Sequence, residues 1–187
     1  EIYLKKIIEK IQSLNLDKNS LILVMSDHGV SIGEKMGEVA YGAFCYDYTL
    51  KTFAYLYNAE ITPRIISSQV RHIDFMPTIL EMLDIPINPS FEKLDGKSLM
   101  PIINGQNISE EFAFSETGNP LNEKAPPKTP NTKSIRNSKW KLIHNEHNNT
   151  KELYDLQNDP SEENNLIGEN FEIEKELSKE LLNHTNE

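Results

Sequence analysis

At 187 residues, with 37% hydrophobic and 26% charged residues, the chain has an ordinary globular composition and the length of one domain or part of a larger one. Its formal net charge of −10 argues against nucleic acid and anionic membrane as partners, because both call for basic patches. No apolar run approaches the roughly 18 residues of a membrane span, and Cys45, alone in the chain, permits no internal disulfide and reads as a small buried hydrophobe.

The chain starts at Glu1 rather than Met, already inside an amphipathic pattern. Ile2, Leu4, Ile7, Ile8, Ile11 and Leu14 recur at three- and four-residue spacing, which predicts a helix with one core-facing stripe. Such a beginning leads to the expectation of a C-terminal piece of a longer protein, with localisation left open. Leu21-Ile22-Leu23-Val24-Met25 then reads as a short buried strand in a largely parallel α/β layer. It stops at Ser26-Asp27-His28-Gly29. Ligands of open α/β sheets bind beyond the carboxyl ends of strands, and Asp27 and His28 both carry atoms able to hold a metal ion. Taken alone, the same tetrapeptide also fits an Asp that caps a turn and a His that merely follows it.

Gly29, Gly33 and Gly37 favour an irregular loop, without the spacing of a phosphate-binding loop. An aromatic stretch, Tyr41 to Tyr48, is expected to pack near the same site. Thr52 to Tyr57 is a second strand candidate. Asp74 is expected to cap a helix through Leu83, with Pro77 in its first turn and His72 in a structural role at its entrance. A short helical segment ends at Gly105. Glu111 to Glu116 alternates as a strand, and residues 117–134 form a long polar loop with Lys124, Lys128 and Lys133. A hairpin with an Asn137-Ser138 turn, a further strand around Tyr154 and an amphipathic helix containing Leu177 and Leu181 follow. Asp155, Gln157 and Asp159 do not make a calcium loop, since Pro160 stands where that loop needs glycine.

Together these landmarks resemble the C-terminal part of the sulfatase family, within the alkaline phosphatase superfamily. The residues that carry the resemblance are Ser26-Asp27-His28-Gly29 with Gly33-Glu34, Tyr46-Asp47, and His72-Ile73-Asp74-Phe75-Met76-Pro77-Thr78-Ile79-Leu80. Leu94-Asp95-Gly96-Lys97-Ser98-Leu99, Ser115-Glu116-Thr117, Trp140-Lys141-Leu142-Ile143 and Glu152-Leu153-Tyr154-Asp155-Leu156 continue it, followed by Asn158-Asp159-Pro160 and Glu163-Asn164-Asn165-Leu166. The resemblance implies a partial alkaline-phosphatase-like α/β sandwich over residues 1–108 and a small antiparallel sheet with a closing helix over 109–187. It further implies that Asp27 and His28 are two ligands of a divalent metal ion, calcium by family precedent, with manganese or zinc suited to an imidazole and magnesium a further alternative.

The family's formylglycine nucleophile, made from a Cys or Ser in a Cys/Ser-x-Pro-x-Arg motif, has no counterpart here. Cys45 is followed by Tyr46-Asp47-Tyr48 and does not match that motif. The catalytic residue and two more acidic ligands are thus expected in an N-terminal half. This chain alone is expected to be inactive without that half. Where the family places a His or Lys against the transferred anionic group, this chain has Ala40, Tyr41, Gly42 and Ala43, so that Tyr41 is the candidate substrate-binding residue. The implied activity is hydrolysis of sulfate esters through that formylglycine, with a sulfated carbohydrate as the candidate substrate. Phosphoester or phosphonate hydrolysis, phospho-group transfer, and a non-catalytic remnant are the alternatives.

Overall fold

A computed structural model describes residues 2–36, 38, 41–88, 90, 94–118 and 129–185. In chain order they form helix α1 (Ile2–Ser13), strand β1 (Ile22–Met25), the single-turn helix α2 (Asp47–Leu50), strand β2 (Ala54–Tyr57), helix α3 (Phe75–Met82) and helix α4 (Met100–Ile103). Strands β3 (Ala113–Thr117), β4 (Thr132–Arg136), β5 (Trp140–Asn145) and β6 (Thr150–Asp155) come next, then helix α5 (Phe171–Thr185). This is the expected α/β class, with a four-stranded antiparallel sheet and a C-terminal helix.

Within the first part, β2 runs antiparallel to β1, with Ile22 opposite Tyr57 and Met25 opposite Ala54. The apolar run at β1 predicts parallel neighbours, which require a crossover to the far end of the sheet. Here the connection leaves and re-enters at one end, where the Ser26 N–H donates to the Phe53 carbonyl at 3.2 Å. Helix α1 forms as its periodicity predicts, but its stripe is not core. No α1 residue is buried, and Ile2, Leu4, Ile7 and Leu14 remain exposed. An amphipathic stripe needs an apposed surface, and no described element packs extensively across this one.

The core lies on the two faces of the sheet ordered β3-β4-β5-β6. Side chains alternate along a strand, and the register brings Ile135, Leu142 and Leu153 side by side. These three are fully buried against Leu177 and Leu181 of α5. The opposite face carries Ile143 and Tyr154, which pack with Leu156, Cys45 and Tyr46. Phe44, Tyr46 and Tyr48 of the aromatic stretch therefore pack on this sheet, while Tyr41 at its start lies against His28. Cys45 is the buried hydrophobe expected, and burial pushes its thiol up to about 11.

Asp74 does not cap α3 with its side chain, contrary to the sequence-based expectation. Its backbone is already helical, continuing a 3-10 turn from His72, so its carboxylate points backward. It accepts from the Arg71 N–H at 2.9 Å, from the Arg71 guanidinium at 2.8 Å and from the Lys97 N–H at 3.0 Å. His72 takes the structural role expected, with Nε2 at 2.8 Å from the Thr52 hydroxyl. Gly105 ends α4 at a φ of +85°, which glycine adopts without steric cost. In the polar loop, Lys133 lies in β4 and pairs with Glu146 at 3.0 Å, while Lys124 and Lys128 lie outside the described residues, as do Gly37 and Ala40.

Leu142 is the central side chain beneath α5, with no exposed surface. Leu142→Ala is expected to lower unfolding free energy by about 2–5 kcal/mol through lost transfer energy and the cavity left behind. Urea unfolding measures this.

Candidate metal centre

Strand β1 ends one residue before Ser26, and the next two side chains project from its carboxyl end into solvent. The Asp27 side chain is 88% exposed and that of His28 40% exposed. Asp27 Oδ1 accepts from the His28 N–H at 2.9 Å, while Asp27 Oδ2 faces His28 Nε2 at 3.6 Å. His28 Nδ1 lies 2.6 Å from the Gly29 carbonyl oxygen. An Nδ1–H that donates to this carbonyl leaves the Nε2 lone pair directed to the side where Asp27 Oδ2 stands. Tyr41, the candidate substrate-binding residue, sets its ring edge-to-face on His28 with centroids 5.2 Å apart, and is itself exposed.

The turn is fixed from behind. The Gly29 N–H donates to the Thr49 carbonyl at 2.8 Å, and a Cβ at Gly29 would overlap the Tyr48 carbonyl oxygen. Only glycine permits this approach. Further along the loop, the buried Glu38 carboxylate gathers the N–H groups of Ala43 and Phe44 and the Tyr48 hydroxyl. The Lys35 ammonium donates to the Glu162 carbonyl and stands 4.9 Å from the Tyr46 ring centroid.

Behind α2 lies a buried ion cluster. Register places Arg136, Lys141 and Tyr154 in one row across β4, β5 and β6. Lys141, with no exposed surface, meets Asp47 Oδ1 at 2.9 Å and Glu162 Oε1 at 2.7 Å. Arg136 pairs with the other Asp47 oxygen and donates Nε–H to Gln69 at 2.8 Å. The Asp47 N–H donates to Glu162 Oε2 at 2.7 Å. Glu162 Oε1 receives no well-aligned N–H, so its contact with Lys141 is an ion pair without the hydrogen-bond geometry.

The two carboxylates respond oppositely. Burial alone would raise Asp47, but the charges of Lys141 and Arg136 outweigh it and hold the group below the usual carboxylate range. Glu162 has one cation and faces the Asp47 charge, and burial prevails, pushing it up.

Of the residues singled out from sequence, Asp27, His28 and Tyr41 come together, while Cys45 lies away from them in the sheet core. Lys141, Glu162 and Lys35 were not singled out for a role. Lys141 precedes the apolar Leu142 and Ile143, but a charged residue in a strand reads as solvent-facing, so no local signal marks it as a buried cation. Two metal-bound donors, each about 2.0–2.5 Å from one ion, stand about 3–4 Å apart when adjacent. The 3.6 Å between Asp27 Oδ2 and His28 Nε2 fits such a pair. Among the described residues no third His, Cys, Asp or Glu joins them.

Residues 42–187 match the family model described as N-sulphoglucosamine sulphohydrolase, C-terminal. The chain is 25% identical over 165 residues to the choline-sulfatase of Rhizobium meliloti (strain 1021), covering 86% of this chain and 30% of that protein. It is 27% identical over 209 residues to the ulvan-active sulfatase of Formosa agariphila, covering 92% and 39% respectively. The chain thus spans well under half the length of these relatives. In fold it is similar to BT4656, solved with its substrate D-glucosamine-2-N,6-O-disulfate, with a TM-score of 0.76 at 22% identity over 97% of this chain and 37% of that one. It is equally similar to the phosphonate monoester hydrolase SpPMH of Silicibacter pomeroyi, with a TM-score of 0.78 at 21% identity over 98% and 38%.

The opposed carboxylates give the ion cluster a defined pH response. Asp47 contributes stability above its unfolded pKa and loses it as pH falls through its lowered folded value. Glu162 binds its proton more tightly when folded, so it opposes folding above its raised pKa, and the penalty fades toward the ordinary 4.5. Glu162→Gln is expected to have a higher urea midpoint than the parent at about pH 8 and to lose that advantage by about pH 4. Asp47→Asn is expected to cost about 3 kcal/mol at neutral pH, a gap that closes with acid. Urea midpoints across pH measure both.

Proposed function

This chain belongs to the sulfatase family matched as N-sulphoglucosamine sulphohydrolase, C-terminal, and from that membership we propose that it supplies half of a divalent-metal site to a hydrolase of sulfate esters. The observation that carries the reading is the pair Asp27 Oδ2 and His28 Nε2, 3.6 Å apart and open to solvent at the end of β1. The bound metal supplies Lewis-acid neutralisation of an anionic ester group. Asp27 and His28 hold it, the Gly29 carbonyl keeps the imidazole in the ligating tautomer, and the Tyr41 hydroxyl donates a hydrogen bond toward the substrate. Calcium and magnesium suit the carboxylate, and the imidazole admits manganese or zinc.

The nucleophile in this reading is a formylglycine elsewhere in a longer polypeptide, together with further acidic ligands. A hard cation takes about six ligands, and two are at hand here. The chain's span of 30% and 39% of its relatives is consistent with that division. So is the exposed apolar face of α1, with Ile2, Leu4 and Ile7 and with Leu14 just past its end, a surface of the kind that marks an interaction site. By itself the 187-residue chain is expected to be inactive.

Among substrates we favour a sulfated carbohydrate, in keeping with the ulvan-active relative and the glucosamine disulfate bound by BT4656. One feature favours a second reading, phosphonate or phosphoester hydrolysis by the same site. Tyr41, Gly42 and Ala43 offer no cation for the transferred group, and the phosphonate monoester hydrolase fold fits this chain as well as the others.

The test is a side-by-side assay of aryl sulfate, aryl phosphate and aryl phosphonate with the full-length polypeptide and its variants. Asp27→Ala and His28→Ala are each expected to lower kcat/KM by about 100-fold or more, given that even outer-shell partners of a metal cost about 10–100-fold. Sulfate turnover exceeding the other two supports the first reading, and the reverse order supports the second. Full activity in both variants would contradict the metal-ligand assignment.

A further inference from the structure

A continuous set of contacts runs from the Asp27–His28 turn to the centre of the four-stranded sheet. Gly29, next to His28, is bonded to Thr49 at 2.8 Å and sits against the Tyr48 carbonyl too closely for any side chain. Tyr48 and Thr49 lie in α2, whose first residue is Asp47. The Asp47 carboxylate is held by Lys141 on β5 and Arg136 on β4. Metal-ligand turn, α2 and sheet are thus linked by one backbone hydrogen bond and the two ion pairs of Asp47.

Lys141 is a costly way to fill this position. Its ammonium has no exposed surface, and a buried ion pair is often replaced by apolar residues of similar volume at no loss of stability. Stability is therefore a weak reason for a lysine here. An ion pair differs from apolar packing in fixing its partner's direction as well as its depth. The partner here is the residue that begins α2.

We propose that Lys141 is a positioning residue for the Asp27–His28 pair, acting through Asp47, α2 and the Gly29–Thr49 hydrogen bond. The inference rests on the metal-ligand assignment above. By it, the antiparallel sheet sets the metal-site geometry without contributing a ligand.

The experiment is Mn2+ titration of the full-length polypeptide, followed by electron paramagnetic resonance, in the parent, Glu162→Gln, and Lys141→Met combined with Glu162→Gln. Glu162→Gln keeps the Lys141–Asp47 pair. The double variant removes that pair but leaves Asp47 balanced by Arg136. The double variant is expected to bind Mn2+ about tenfold more weakly than Glu162→Gln, the loss typical of a ligand-orienting partner. A changed zero-field splitting of the bound ion should accompany it, which a change in global stability alone would not produce. Equal affinity and identical spectra in the two folded variants would overturn the inference. Should the double variant not fold, Asp47→Asn decides: tenfold weaker binding supports the inference, and parental affinity overturns it. If the parent itself binds no Mn2+, the metal-ligand assignment falls, and the positioning role with it.

Discussion

A lysine ammonium sealed from water between two carboxylates is the constraint on which the arrangement depends. Lys141 is the second residue of β5, where the residues on either side of it are buried against α5 or half-buried, and its own face turns toward α2. Without Asp47 and Glu162, desolvating that charge would cost several kcal/mol. With them, the sheet must meet α2 and the segment around Glu162 in one relative orientation. Lys35 adds a second strap, joining the loop beyond Gly29 to the Glu162 carbonyl and the Tyr46 ring. Among the described residues, the two least exposed charges, Lys141 and Glu162, are thus linked through α2 to the exposed candidate ligands.

That contrast has a chemical logic. A ligand pair must face open space to take an ion and an anionic substrate, yet keep its donor atoms fixed. Asp27 and His28 gain exposure by standing beyond the end of β1. Their fixity comes from the next residue, Gly29, which can approach α2 because it lacks a Cβ. Glu38 serves the same segment from the other side by collecting two backbone N–H groups and the Tyr48 hydroxyl. In the proposed site, the carboxylates behind the turn would act on geometry, and the carboxylate and imidazole in front of it would act on the metal.

Much of this was legible in the sequence, for identifiable reasons. Period-two patterning around Leu142 and Leu153 and period-3.6 patterning around Leu177 and Leu181 report burial directly, and those elements form as read. Asp27 and His28 stand out because a carboxylate and an imidazole abruptly end an apolar run. Three features were not legible. The antiparallel return of β2 depends on a connection whose path no local pattern records. The exposure of the α1 stripe depends on what lies opposite it. The backward turn of the Asp74 carboxylate depends on Arg71 and on Lys97, which is remote in sequence. Lys141 shows the general difficulty: a charged residue in a strand looks like a solvent-facing position, and only the register that lines it up with Arg136 and Tyr154 reveals that the face is closed.

The metal assignment of Asp27 and His28 is tested most directly by locating the ion. In an anomalous difference map from crystals of the full-length polypeptide soaked in Mn2+, a peak is expected at about 2.1–2.3 Å from both the Asp27 carboxylate and His28 Nε2. Peaks confined to other residues, with Asp27 and His28 in solvent as they stand here, would contradict it.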